Sequence, residues 1–252
     1  MIPNNMKMKM LIAAASLLAP MLAHADCKDM MSAWAEELHP GRVLDSQRSE
    51  CQTWPANPQL TLAALSLAHD ADNDDAGATD LEVLVADTAS GAIVAHLFQR
   101  NAINHDAERF SDIALDTARY QLTPTSRAFG VRVSHEGTER MIPKGATSLS
   151  LYVLEGANVR PVLDSLIVEE ATGAWDLRCT GAYDVTKRTI AIGPAGHDGY
   201  ASLKITEKRV HTVTRMAKNE CVKKDGRPKQ SAYTLEYRNG QYSVPEGMQR
   251  PG

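Results

Sequence analysis

Residues 69–86 read HDADNDDAGATDLEVLVA, the stretch of this chain whose side chains most directly suggest chemistry. Asp70, Asp72 and Asp74 stand at i, i+2 and i+4, Asp75 and Asp80 follow, and an apolar run begins at Leu81. Calcium takes about six to eight oxygen ligands from a flexible loop, and alternating aspartates aim several carboxylates at one point. The expected ligands are Asp70, Asp72, Asp74 and Asp80, and calcium is the one expected cofactor. The alternative is a solvated acidic turn.

The segment resembles the calcium loop of FG-GAP (VCBS-type) β repeats, in which an aspartate-rich turn with glycine runs into Asp-Leu and a strand. The matching residues are Asp70, Asp72, Asp74, Asp80 and Leu81; Asp75-Ala76 stands where glycine is expected, and Gly77 comes late. The resemblance covers about twenty residues, occurs once, and implies metal-stabilised folding. A second stretch, GPAGHDGY at 193–200, has the glycines of a phosphate loop. It lacks Gly-Lys-Ser/Thr and continues into a strand pattern, so it reads as a turn. Asp198-Gly199-Tyr200 followed by Leu203 resembles the strand entry of periplasmic inhibitors of invertebrate-type lysozyme and related immunity proteins.

No catalytic signature is present. Histidines at 39, 69, 96, 105, 135, 197 and 211 form no His-Glu-x-x-His, and there is no Gly-x-Ser-x-Gly. His105-Asp106 and Asp116 could meet a serine only through folding. No catalytic residue is assigned, and an envelope hydrolase with a site assembled from loops is the runner-up to a binding protein.

The elements that must position these residues are mostly strands. Residues 28–38 place Met31, Trp34, Ala35 and Leu38 on one helical stripe, ended by Pro40-Gly41. QTWPANP at 52–58 reads as an extended linker. Strand patterns follow from Leu60, at 81–85 and 93–98 around a turn at 87–91, and at 129–133, 149–153, 189–192 and 203–210. Residues 159–170 fit helix or strand and lean to strand. Asn239-Gly240 marks a two-residue turn between Tyr237 and Tyr242. The fold class is mainly β, an antiparallel sandwich, barrel or propeller-like arrangement with a short N-terminal helix.

The start of the chain reads as an export signal over residues 1–25. Lys7 and Lys9 precede an apolar core at 10–22 and the small-residue site Ala23-His24-Ala25. Asp26 before Cys27 is unsuited to a lipobox. A disulfide-stapled segment at 26–58 and a β-rich domain at 59–252 then follow. Four cysteines in an exported chain suggest two bridges, Cys27–Cys51 and Cys179–Cys221, each closing a modest loop. The formal charge is −4 and unevenly distributed. Residues 26–116 carry 17 acidic and 5 basic side chains; residues 117–252 carry 14 and 20. The basic stretch from Lys204 to Lys229 suits an acidic protein or envelope polymer. No nucleic-acid motif and no later membrane span is present. The sequence therefore points to a periplasmic or secreted, non-catalytic binding protein, of inhibitor or immunity type in its most concrete form. A structural envelope component is the third reading.

Overall fold

The computed structural model describes residues 27–68, 77–105, 108–139, 141–142, 144–176, 178–196 and 198–250. The expected signal segment, 1–25, lies outside them. Among the described residues one helix, α1 (Cys27–Leu38), precedes fourteen strands: β1 (Val43–Thr53), β2 (Leu60–Ala68), β3 (Ala78–Asp87), β4 (Ile93–Asn104), β5 (Arg109–Gln121), β6 (Arg127–Glu136), β7 (Lys144–Glu155), β8 (Asn158–Trp175), β9 (Gly181–Ala195), β10 (Ala201–Ala217), β11 (Glu220–Asp225), β12 (Lys229–Leu235), β13 (Tyr237–Arg238) and β14 (Gln241–Tyr242). The fold is mainly β, as the alternating patterns imply.

The main path of the sheet runs β1-β2-β3-β4-β8-β7-β6-β5. It curls until its two end strands lie side by side, but no ladder joins β1 to β5, so the barrel stays open. Between them Arg48 Nη1 donates to the Phe110 carbonyl at 3.3 Å. The inner face is filled by Trp54, Leu62, Val83, Phe110, Phe129 and Tyr152 among others. The outer face of β2 and β3 packs Leu65, Leu67 and Leu84 against Met31, Trp34 and Ala35 of α1. Both faces of β2 and β3 are thus covered, which is why they read as nearly continuous apolar runs. A third core lies on the outer side of β7 and β8, where Leu149, Leu151 and Leu163 meet Leu203, Ile205, Leu235 and Tyr242. Truncating one of these buried leucines to alanine costs about 2–5 kcal/mol.

The helix stripe falls where its spacing placed it. Trp34 Nε1 donates to Gly91 O at 2.8 Å, tying α1 to the β3–β4 turn. Gly91 has φ +72°, and a Cβ there would occupy the place of the Met30 side chain, so both conformation and space call for glycine. Cys27 bridges Cys51 of β1, with Cα atoms 6.1 Å apart. The 52–58 stretch is a tight connection: Trp54 N–H donates to Leu60 O at 2.8 Å and its indole enters the inner core. β1 pairs with β2, so this segment belongs to the sheet. Residues 159–170 are strand, within β8.

β8 is 18 residues long and outruns the body. Its distal half, 169–175, pairs with 181–187 of β9; β9 pairs with β10, and the end of β10 pairs with β11. These four stretches form an arm, flanked at its base by residues 144–147 of β7, which pair with 169–172 of β8. At its base Arg188, whose side chain is 6% exposed, pairs with Glu207 at 2.7 Å and donates to Ile167 O at 2.9 Å. At its tip Asp176 Oδ1 accepts the N–H groups of Arg178, Cys179 and Thr180 at 2.8–2.9 Å. The second disulfide, Cys179–Cys221, staples this turn to β11, with Cα atoms 5.5 Å apart. Both expected pairings are those formed.

Candidate functional site

Asp70, Asp72 and Asp74 lie outside the described residues. Asp80 is fully buried on the α1-facing side of β3; it accepts from the Arg42 guanidinium and, at 2.8 Å, from Asn101 N–H. Glu82, two residues on and on the same face, is also fully buried. One of its oxygens meets His39 Nε2 at 2.6 Å and the other meets His96 Nδ1 at 3.2 Å. Isolated buried carboxylates are strongly disfavoured, so His39 and Arg42, just past the end of α1, compensate them and fix the helix end over β3. Among the described residues no three His, Cys, Asp or Glu side chains converge as a metal site.

The other residues singled out by sequence have structural partners. Residues 193–195 end β9, and the connection to β10 is marked by Gly196 N–H donating to Tyr200 O at 2.7 Å and by Gly199 at φ +75°. Tyr200 stacks on Tyr237 with ring centroids 3.9 Å apart. His197 and Asp106 lie outside the described residues. His105 bonds Thr79 Oγ1 at 2.9 Å. Asp116 accepts from Arg132 at 2.7 Å and from the Tyr120 hydroxyl at 2.9 Å. Burial raises its carboxyl, but the Ala118 N–H, Arg132 and Tyr120 outweigh that and hold it below the usual range.

The surface that stands out is the arm. The register puts Trp175, Gly181, Thr214 and Lys223 in one row across β8–β11. Gly173, Tyr183, Thr212 and Asp225 form the next row on that face, and Ala171, Val185 and Val210 the one beyond. Small residues in the middle and aromatic rings beside them leave a depression of about 440 Å³. A Cβ at Gly173 would come within 2.5 Å of Tyr183 Cβ, and one at Gly181 within 2.9 Å of Trp175 Cδ1, so the two glycines let the walls stand as they do. Lys223 Nζ lies 5.5 Å from the Tyr183 ring centroid, a cation–π contact at the rim. Lys187 and Lys208 continue the same face toward the body.

The opposite face exposes Val213 and Val222 beside Ala174 and Ala182, with the charged Asp184, Arg209, Arg215 and Lys224 around them. Among the described residues, eight large hydrophobic side chains are exposed. Six of them lie on the arm or beside it: Met141, Ile142, Trp175, Val213, Met216 and Val222. Met141 is joined to the arm by Trp175 N–H, which donates to its carbonyl at 2.8 Å. The outer edge carries Lys223, Lys224, Arg227, Pro228 and Lys229, a composition that blocks strand addition. Sequence reading missed this surface because exposed valines and aromatics on strands look like core. Comparison with protein-family models, with curated proteins and with solved structures finds no match to this chain.

Proposed function

We propose that this chain is an exported, non-catalytic binding protein whose arm docks an acidic protein partner, with an inhibitor or immunity-type role as its concrete form. The observation that carries the reading is the concentration of exposed apolar side chains on both faces of one disulfide-stapled arm. Contiguous apolar patches on a protein surface mark interaction sites. The apolar middle edged by Lys187, Lys208 and Lys223 has the anatomy of a protein interface; Glu169 and Asp225 offset two of these lysines, and Lys208 with Lys224, Arg227 and Lys229 of the outer edge tips the charge toward an acidic partner. A polyanionic polymer would instead favour cations along the middle of the face.

Size adds a constraint. Seven residues by four strands make a face of roughly 23 by 19 Å, on the order of 400 Å². Stable partners cover about 800 Å² on each side. A partner that clasps both faces meets that requirement. Two disulfides suit the oxidising envelope that the expected signal segment implies. Calcium is retained as a proposed stabiliser bound by Asp70, Asp72 and Asp74, because the Asp80 carboxylate is engaged by Arg42.

The test is site-specific photo-crosslinking in envelope extract, with the photoreactive residue at 175, at 213 or at 94. Positions 175 and 213, on opposite faces, should capture one and the same acidic protein, and position 94 should not. Purified partner should bind at least tenfold more weakly to Trp175→Asp combined with Val213→Asp, with no change in melting. Unchanged affinity in that variant would overturn the reading.

A further inference from the structure

Inside the open barrel, the core is interrupted by a polar cavity of about 40 Å³. By volume this holds roughly three water-sized groups. Its wall includes Gln99, His135, Ser150, Tyr152, Ser165 and Arg250. His135 is 3% exposed and its Nε2 faces the Asn104 carbonyl at 3.1 Å, so Nε2 carries the proton. Its Nδ1, a lone-pair acceptor in that tautomer, is buried without a partner. Buried polar atoms are nearly always paired, and an exception calls for a group that supplies the missing bond.

The backbone beside the cavity is specially shaped. Ser165 has φ +49°, a left-handed conformation that a non-glycine residue adopts only when its surroundings enforce it. It sits at a bulge between the Leu149–Leu166 and Leu151–Leu163 pairs, and its N–H donates to Ser150 Oγ at 3.0 Å. The 248–250 segment holds the bulge from the other side. Met248 O accepts from Ile167 N–H at 2.8 Å, and Arg250 N–H donates to Ser165 O at 2.9 Å. The Arg250 guanidinium bonds Glu108 at 2.6 Å. Bulges of this kind re-aim side chains next to functional sites.

We propose that this cavity binds a small uncharged hydroxyl compound, a short diol in size, whose O–H donates to His135 Nδ1. Charge selects against the alternatives. Asp164 and the His135 lone pair repel an anion, and a cation would have to approach the Arg250 guanidinium, whose charge Glu108 offsets only in part. Burial, followed by the charge of Arg250, lowers the His135 ring to a pKa of about 4, so the acceptor persists at neutral pH. A hydroxyl both donates and accepts at one atom, which suits a wall holding a ring acceptor beside the Gln99 amide and the Ser150 hydroxyl.

The test titrates ethylene glycol into the disulfide-intact protein and follows the His135 ring nitrogens and the Tyr152 ring by NMR, with sorbitol as an oversized control. Saturable movement of the Nδ1 and Tyr152 signals with ethylene glycol alone is expected. His135→Phe, ring-sized and without the acceptor, should bind about tenfold more weakly as read on Tyr152. If that variant does not fold, Ser150→Val narrows the same space and should show the same loss. An unsaturable drift equal to that caused by sorbitol, or undiminished binding in either variant, would overturn the proposal and leave the cavity to water.

Discussion

Arg48 of β1 and Phe110 of β5 bridge the gap between the end strands: the guanidinium donates to the Phe110 carbonyl at 3.3 Å and lies 5.0 Å from its ring centroid. Asp45 orients that guanidinium from within the same strand. Arg48→Ala removes a charged hydrogen bond and a cation–π contact together, and is expected to lower stability by about 2 kcal/mol. Arg48→Lys should recover less than half, because an ammonium does not reproduce the planar fork. Urea unfolding of the three proteins measures both numbers.

The Arg42–Asp80 pair should behave as a buried ion pair. Arg42→Ala leaves a fully buried carboxylate without its cation and should destabilise by about 3 kcal/mol. Replacing both partners, Arg42→Met with Asp80→Leu, should regain most of that loss. A double variant no more stable than Arg42→Ala would show that Asp80 is needed for more than its partner.

His135 gives stability a pH signature. Its pKa falls from an unfolded value near 6.5 to about 4, chiefly through burial. Below about 6.5 the unfolded chain binds a proton at this ring that the folded chain refuses, so the contribution is intact above that pH and lost as pH falls toward 4. The loss amounts to roughly 3 kcal/mol at most. His135→Phe lacks this titration, so its stability relative to wild type should rise as pH falls from 6.5 to 4. Chemical unfolding at half-unit pH intervals distinguishes this from the general acid response of carboxylates, which both proteins share.

Calcium at a hundredfold excess over its dissociation constant should raise unfolding free energy by about 2.7 kcal/mol by mass action. Magnesium should substitute poorly, since it demands a tighter octahedral shell. The gain should vanish in Asp72→Ala with Asp74→Ala. Thermal melting with EDTA, calcium or magnesium decides it, and an unchanged midpoint at millimolar calcium returns the loop to a solvated acidic turn.

How much of this was legible in the sequence follows from what each strand faces. α1 buries a regular stripe and β2 and β3 bury nearly continuous apolar runs, so Met31, Trp34, Leu62 and Val83 announced them. β1 and β11 did not. β1 is mostly polar and half exposed, β11 is exposed throughout, and both exist because a neighbour supplies their ladders. Asp80 and Glu82 were visible as carboxylates, but their burial depends on His39 and Arg42 arriving from some forty residues away, which no local pattern records. Trp175 and Val213 resemble core residues because strand periodicity marks a face and not what covers it.

β8 gives the arm a mechanical property. One strand, bulged at Ser165 and at most about 60 Å long, runs from the body core to the arm tip. A pull on a bound partner directed along that strand would load the β7–β8 ladder lengthwise, with many hydrogen bonds resisting together. A sideways pull would open the β10–β11 edge one bond at a time, checked by the Cys179–Cys221 bridge at the far end. The arm is therefore stiffer along its length than across it, and a complex held through it would tear more readily when pulled sideways than when stretched.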